Sequence, residues 1–143
     1  MLVSQILRTK GEEVFTTSPH ETVGAAAALL LVRRVGAMVV LDAADAVVGI
    51  LSERDIVRAV AEKGADALRR PVSDFMSRDV VFADPGETVD VLLERMTDRR
   101  IRHLPVCRDA RLLGIVSIGD LVKSKIAEAE AEAAHLKNYI AAG

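Results

Sequence analysis

Gly114-Ile115-Val116-Ser117-Ile118-Gly119-Asp120-Leu121 reads as the end of a buried strand that runs straight into a helix. An earlier stretch, Gly49-Ile50-Leu51-Ser52-Glu53-Arg54-Asp55-Ile56, repeats it with Gly, Ile, Ser and Asp at the same spacing. A strand ending in Ser-x-x-Asp carries a hydroxyl and a carboxylate into the first turn of a helix. Backbone N–H groups there lack intrahelical partners and attract anions.

The duplication extends outward from these two stretches, and a repeat takes precedence over other sequence signals. Pro19-x-Glu21-Thr22-Val23 returns 66 residues later as Pro85-x-Glu87-Thr88-Val89, and Arg33-Arg34 returns as Arg99-Arg100. The Gly-Ile-x-Ser-x-x-Asp stretches match at 65, and Val3-Ser4 matches Val72-Ser73 at 69. The insertions fall between elements and the register holds inside them, the pattern of a structural repeat. Two copies are too few for a solenoid, so a pseudo-twofold pair is expected.

Composition bounds the class. A chain of 143 residues can bury roughly 68–70% of its unfolded surface. Its 50% hydrophobic content excludes disorder, and the absence of Trp points to an aliphatic core. A net charge of −2 argues against a nucleic-acid binder. The single Cys107 permits no intrachain disulfide, fits a reducing compartment, and is expected to be buried and inert. The first residues lack the apolar core of a secretory signal. The longest apolar run, Val23–Val32, is too short to span a bilayer. A cytoplasmic protein with no nucleic-acid or membrane partner is expected.

In chain order, Val3–Leu7 reads as a short amphipathic piece and Arg8–Glu13 as a polar, flexible stretch. A strand is expected at Val14–Thr17, a helix capped by Thr22 and running to about Val32, strands at Ala37–Leu41 and Val47–Leu51, and a helix from Ser52 to about Glu62. Lys63–Arg70 reads as a polar linker, and Pro71 opens the second copy. That copy repeats the order with a strand at Val80–Phe82, a helix at Thr88–Thr97, strands at Leu104–Cys107 and Leu112–Val116, and a long helix from about Ile118. The divisions are thus repeat 1 at 1–62, linker 63–70, repeat 2 at 71–126 and a helical extension at 127–143. A two-strand hairpin with two helices leaves one sheet face uncovered. The fold class is therefore α+β, two strand-helix-strand-strand-helix repeats packed sheet to sheet with related clefts.

With both Gly-Ile-x-Ser-x-x-Asp stretches in order, and with Arg100-Ile101-Arg102-His103-Leu104-Pro105-Val106 entering a strand, the chain resembles a tandem pair of cystathionine-β-synthase (CBS) domains, a Bateman module. The resemblance spans Val3 to about Ile126. It implies a regulatory module that holds an adenosyl ligand (AMP, ADP, ATP, S-adenosylmethionine, NAD(H) or a cyclic dinucleotide) in inter-repeat clefts, and that dimerises in many cases.

The site residues follow from both lines of reading. Ser52-x-x-Asp55 and Ser117-x-x-Asp120 fit a helix capping box with Asp in place of Glu. They also fit a carboxylate that accepts from ribose hydroxyls, as carboxylates do in dinucleotide sites, and spacing alone leaves both open. Arg102 and His103, just ahead of a strand, are placed to meet phosphate. Their counterparts Gly36 and Ala37 carry no cation but leave backbone open to close approach. The two sites are therefore expected to be unequal. Pro105 is matched by Val39, a departure in the first copy. The resemblance implies that Thr16 and Thr17, whose counterparts are Phe82 and Ala83, meet the base.

No metal-ligand spacing, Gly-rich phosphate loop or nucleophile–base set is visible, so no catalytic role is assigned. The resulting reading is a non-enzymatic nucleotide sensor that acts through a homodimer or an effector protein. Its rival is a structural dimerisation module with vestigial clefts. Val122, Ile126, Ala129, Ala133, Leu136 and Ile140 are spaced four and three apart, a heptad seam. That seam either seeks another helix or folds back on its own module.

Overall fold

The computed structural model describes residues 1–11 and 14–142. It divides into two compact units that do not coincide with the sequence repeats: one holds Met1–Glu12 and Phe82–Gly143, the other Glu13–Val81.

The unit from the first copy contains β1 (Thr16–Thr17), α2 (Val23–Arg33), β2 (Ala37–Leu41), β3 (Val47–Ser52) and α3 (Glu53–Lys63); helix α1 (Val3–Lys10), which precedes them in the chain, belongs to the other unit. Its sheet runs β1-β2-β3, with β1 parallel to β2 and β2 antiparallel to β3. Thr22 caps α2 by accepting from the Ala25 amide at 3.1 Å. Ala26, Leu30, Met38, Val40 and Leu51 form the core, with Val72 and Met76. Those last two open the second copy in sequence, yet they complete the core of the first.

The other unit contains α1 (Val3–Lys10), α4 (Val89–Arg99), β4 (His103–Arg108), β5 (Arg111–Ser117) and α5 (Ile118–Ala142). The antiparallel hairpin β4-β5 turns on Asp109-Ala110, both at positive φ (52° and 62°), the two-residue turn that suits strand twist. The one-residue difference between the copies falls at this turn. Val3 is fully buried here, with Leu92, Met96, Leu104, Val116 and Leu121.

Each leading segment thus serves the other copy, and the two exchanges are equivalent bond for bond. Val72 N–H donates to Glu21 O at 2.8 Å and Ser73 N–H to Pro19 O at 3.0 Å; Val3 N–H donates to Glu87 O at 3.0 Å and Ser4 N–H to Pro85 O at 2.9 Å. Burying a Val side chain contributes roughly 1.5–3 kcal/mol, so each leading segment is held by apolar burial as well as by hydrogen bonds.

The exchange explains the Gly of each Gly-Ile-x-Ser motif. A Cβ on Gly49 would lie 2.7 Å from Met76 Sδ and 3.0 Å from Ser77 O, and one on Gly114 would lie 2.6 Å from Leu7 Cδ2. Leu7 and Met76 are themselves 69 residues apart, the offset of Val3 and Val72. The exchanged segment lies directly on the strand at both glycines, against backbone at Gly49 and against a side-chain end at Gly114.

Several expectations need correction. The strand expected at Val80–Phe82 does not form: Ala83 alone bridges β4, exchanging hydrogen bonds with Pro105 and Cys107. The neighbouring backbone groups are taken by side chains. Arg95 donates to Phe82 O at 3.1 Å, and Glu87 Oε1 accepts from the Asp84 amide at 2.8 Å. The strand at Val14–Thr17 is limited to Thr16–Thr17. Arg8–Lys10 are helical rather than flexible, while Glu12 and Glu13 lie outside the described residues. Past Lys63, the linker is a 3-10 helix, Gly64–Arg69, with Ala67 fully buried. Gly24 accommodates it, since a Cβ there would lie 2.9 Å from Leu68 O. Cys107 is half-buried rather than buried, and burial raises its thiol pKa.

Both α2 and α4 end on an arginine in the left-handed conformation, Arg34 and Arg100, each at φ 54°. A Gly is the usual residue there. Helix α5 does not fold back. Leu136 is 53% and Ile140 74% exposed, and residues 127–142 are exposed throughout. No helix among the described residues is long and apolar enough to cross a membrane.

The glycine packing gives a graded expectation. Gly49→Ala meets a backbone carbonyl as well as Met76, so overpacking should cost about 1–3 kcal/mol. Gly114→Ala meets the end of a Leu side chain that can swing away, and should cost under about 1 kcal/mol. Urea denaturation of both variants checks this; equal costs would show that the exchanged segments are not what demands glycine.

Candidate functional site

The two Ser-x-x-Asp corners are built alike. Ala37 pairs with Ser52 across β2-β3, and His103 pairs with Ser117 across β4-β5. Gly36 O accepts from the Glu53 amide at 2.9 Å, and Arg102 O from the Ile118 amide at 2.8 Å. The structure therefore brings Gly36, Ala37, Ser52 and Asp55 to one corner, and Arg102, His103, Ser117 and Asp120 to the other. Thr16 and Thr17 lie further along the first sheet, beside Val39 and Val40. Pro105 is buried in β4 opposite Ile115.

Both capping boxes form. The Asp55 amide donates to Ser52 Oγ at 3.3 Å, and the Asp120 amide to Ser117 Oγ at 3.1 Å. In return, Asp55 Oδ2 accepts from the Ser52 amide at 2.9 Å, and Asp120 Oδ2 from the Ser117 amide at 2.8 Å. Most of the anion-attracting amides of each helix start are thus satisfied internally. Among the described residues, what remains without a partner in the first turn is the amide of Arg54 in one corner and of Gly119 in the other.

The carboxylates then diverge. Asp55 is 4% exposed. Its Oδ2 also accepts from Ser52 Oγ at 3.1 Å, while Ser77 Oγ stands 3.5 Å and Arg58 Nη1 3.8 Å from Oδ1. Both oxygens are occupied by the protein. In Asp120, whose side chain is 26% exposed, Lys10 Nζ sits 2.7 Å from Oδ2 and donates also to Ile115 O at 2.9 Å. Oδ1 has no hydrogen-bond partner among the described residues. Among the described residues, this corner presents an anionic acceptor oxygen without a partner, beside the exposed Arg102 and the half-buried His103.

Burial pushes the Asp120 carboxyl up, but Lys10 and the Ser117 amide outweigh it and hold its pKa below the ordinary 3.8. The group stays ionised and able to accept. Lys10 and Ser77 went unnoticed in the sequence because both lie on the exchanged segments, remote in the chain from the motif they meet. The 69-residue offset relates those segments to each other and says nothing of where they dock. Among the described residues no His, Cys, Asp and Glu group could hold a metal ion.

A partly exposed ion pair contributes about 0.2–1 kcal/mol, and Lys10→Met should lower stability by that amount at neutral pH. Because the folded pKa of Asp120 is depressed, this contribution is complete above the unfolded value and is lost as pH falls through the folded one. The Tm difference between parent and variant should therefore shrink in progressively acid buffers. A constant difference would mean that Lys10 acts through packing alone.

Comparison with known proteins follows the same lines. The CBS domain profile matches twice, at residues 3–62 and 72–126. The CBS domain-containing protein YhcV of Bacillus subtilis is 32% identical over 132 residues, covering 92% of this chain and 93% of that protein. The crystal structure of the CBS-domain containing protein ATU1752 from Agrobacterium tumefaciens superposes with a TM-score of 0.84 at 45% identity, covering 87% of this chain and 92% of that one. The CBS domain pair of protein MJ0100, solved in complex with 5′-methylthioadenosine and S-adenosyl-L-methionine, superposes with a TM-score of 0.80 at 26% identity, covering 90% and 98%. With two profile matches spanning most of its length, each containing a Ser-x-x-Asp corner, the chain belongs to the CBS domain family as a tandem pair.

Proposed function

We propose that the chain is a regulatory, non-enzymatic module that binds an adenosyl ligand, with the second-copy corner as its principal site. The observation that carries this reading is that Oδ1 of an ionised Asp120 has no hydrogen-bond partner among the described residues. A ribose diol has two O–H donors and suits such an acceptor. Arg102 and His103 then lie on the side from which a phosphate would approach, and Gly119 adds an amide with no side chain in the way. The ligand class extends over AMP, ADP, ATP, NAD(H) and S-adenosyl compounds; the ligands in the MJ0100 structure support the adenosyl part.

The first corner, with Gly36, Ala37, Ser52 and Asp55, and with Thr16 and Thr17 further along its sheet, takes a weaker or differently selective role in this proposal. Its occupied carboxylate favours the rival reading there, in which Ser52 and Asp55 serve as a cap and hold no ligand. Output runs through self-association in the cytoplasm or through an effector protein. Leu31, Val32, Val57 and Val60 on α2 and α3, and Val122 and Ile126 on α5, are exposed apolar residues of the kind a partner surface covers.

Calorimetric titration with AMP, ATP, NADH and S-adenosylmethionine tests the reading. A hydrogen bond to a charged group contributes roughly 1.5–3 kcal/mol, so Asp120→Asn should weaken binding about 10- to 150-fold. Lys10→Met keeps the carboxylate and should retain binding. Asp55→Asn should act mainly on stability. Equal affinity of parent and Asp120→Asn for every ligand would remove the ribose assignment. Arg102→Ala should weaken AMP much more than adenosine, and the AMP affinity should fall with salt; equal losses for both ligands would remove the phosphate role.

A further inference from the structure

We infer that α5 pairs with α5 of a second copy of this chain in parallel, in-register orientation. This deepens the self-association proposed above by naming the element and its direction. The seam is exposed along its length: Val122 44%, Ile126 54%, Leu136 53% and Ile140 74%, with Ala129 and Ala133 exposed between them. Taking Val122, Ala129 and Leu136 as d positions and Ile126, Ala133 and Ile140 as a positions fixes the flanking residues. Lys123, Glu130 and Lys137 fall at e; Lys125, Glu132 and Tyr139 fall at g.

The charges select the orientation. In a parallel pair each g residue faces the e residue five positions further along the partner helix. Lys125 then meets Glu130 and Glu132 meets Lys137, opposite signs both times. In a fully overlapped antiparallel pair e faces e and g faces g. Lys123 would then meet Lys137, and Glu130 and Glu132 would each meet its own copy, all repulsive, while Lys125 would meet the uncharged Tyr139. A one-heptad slip relieves this only by giving up part of the seam. Lys125 is already shared between Asp90 at 3.0 Å and Glu128 at 3.8 Å, so the second pair is the cleaner determinant. Glu132 and Lys137 are exposed and make no ion pair among the described residues. The unbroken helix from Ile118 to Ala142 carries the seam out from the β4-β5 unit, where Leu121 and Ser124 anchor its start.

The test is charge exchange in the full chain, read by sedimentation equilibrium. Glu132→Lys alone and Lys137→Glu alone each turn two symmetry-related attractions into repulsions, which should weaken dimerisation roughly tenfold. The double variant E132K/K137E restores opposite signs and should recover the parent affinity. Separately, Ala133→Cys places like a positions face to face and should give a disulfide-linked dimer in mild oxidant, whereas the parent, whose single Cys107 is half-buried, should not. A chain that dimerises but shows no loss in the single variants, no recovery in the double variant or no Ala133→Cys cross-link overturns the parallel seam. A chain that stays monomeric at every concentration overturns self-association as well.

Discussion

The exchange of leading segments is the constraint on which the rest depends. Neither hairpin is covered by its own leading segment: Val72 and Met76 fill the core behind β3, and Val3 with Leu7 lies against β5. Each motif glycine exists because a side chain from this segment rests where its Cβ would be. The segments also reach the two carboxylates, Ser77 at Asp55 and Lys10 at Asp120. Packing, turn chemistry and the electrostatics of the candidate site thus share one origin.

That origin accounts for the inequality between the corners. The two sequences at the strand–helix junction are nearly the same, and both fold into the same capping box. Much of the difference enters from the segment laid across each of them. Ser77 from that segment and Arg58 of α3 itself complete the closure of Asp55, whereas Lys10 binds one oxygen of Asp120 and the other has no hydrogen-bond partner among the described residues. Charge adds to the contrast, since Arg102 and His103 stand where the first copy has Gly36 and Ala37.

Much of the fold was legible because the repeat fixes its own register. Thr22 and Thr88 cap helices, Ala37–Leu41 is the buried strand its unbroken apolar run implies, and the Ser-x-x-Asp spacing marks where strand becomes helix. What was not legible depends on tertiary competition. Val80–Phe82 has strand propensity, but Arg95 and Glu87 take the backbone groups a strand would need. Lys63–Arg70 has the composition of a linker, but Ala67 and Leu68 find a place against Gly24. At the site, the neighbourhood of Arg102, His103, Ser117 and Asp120 followed from the motif. The roles of Lys10 and Ser77 did not, because no local pattern records a contact 110 or 22 residues away.

The central claim is that two corners of like sequence are chemically unequal and that the Asp120 corner receives the ligand. Amide NMR of the uniformly labelled chain during an AMP titration tests it most directly, since every backbone N–H at both corners is read at once. The account predicts that the first and largest shifts fall on Arg102, Ser117, Gly119, Asp120 and Lys10, with Ser52, Arg54 and Asp55 moving later or not at all. Shifts that begin at Ser52 and Asp55, or that are equal at both corners throughout the titration, would contradict it.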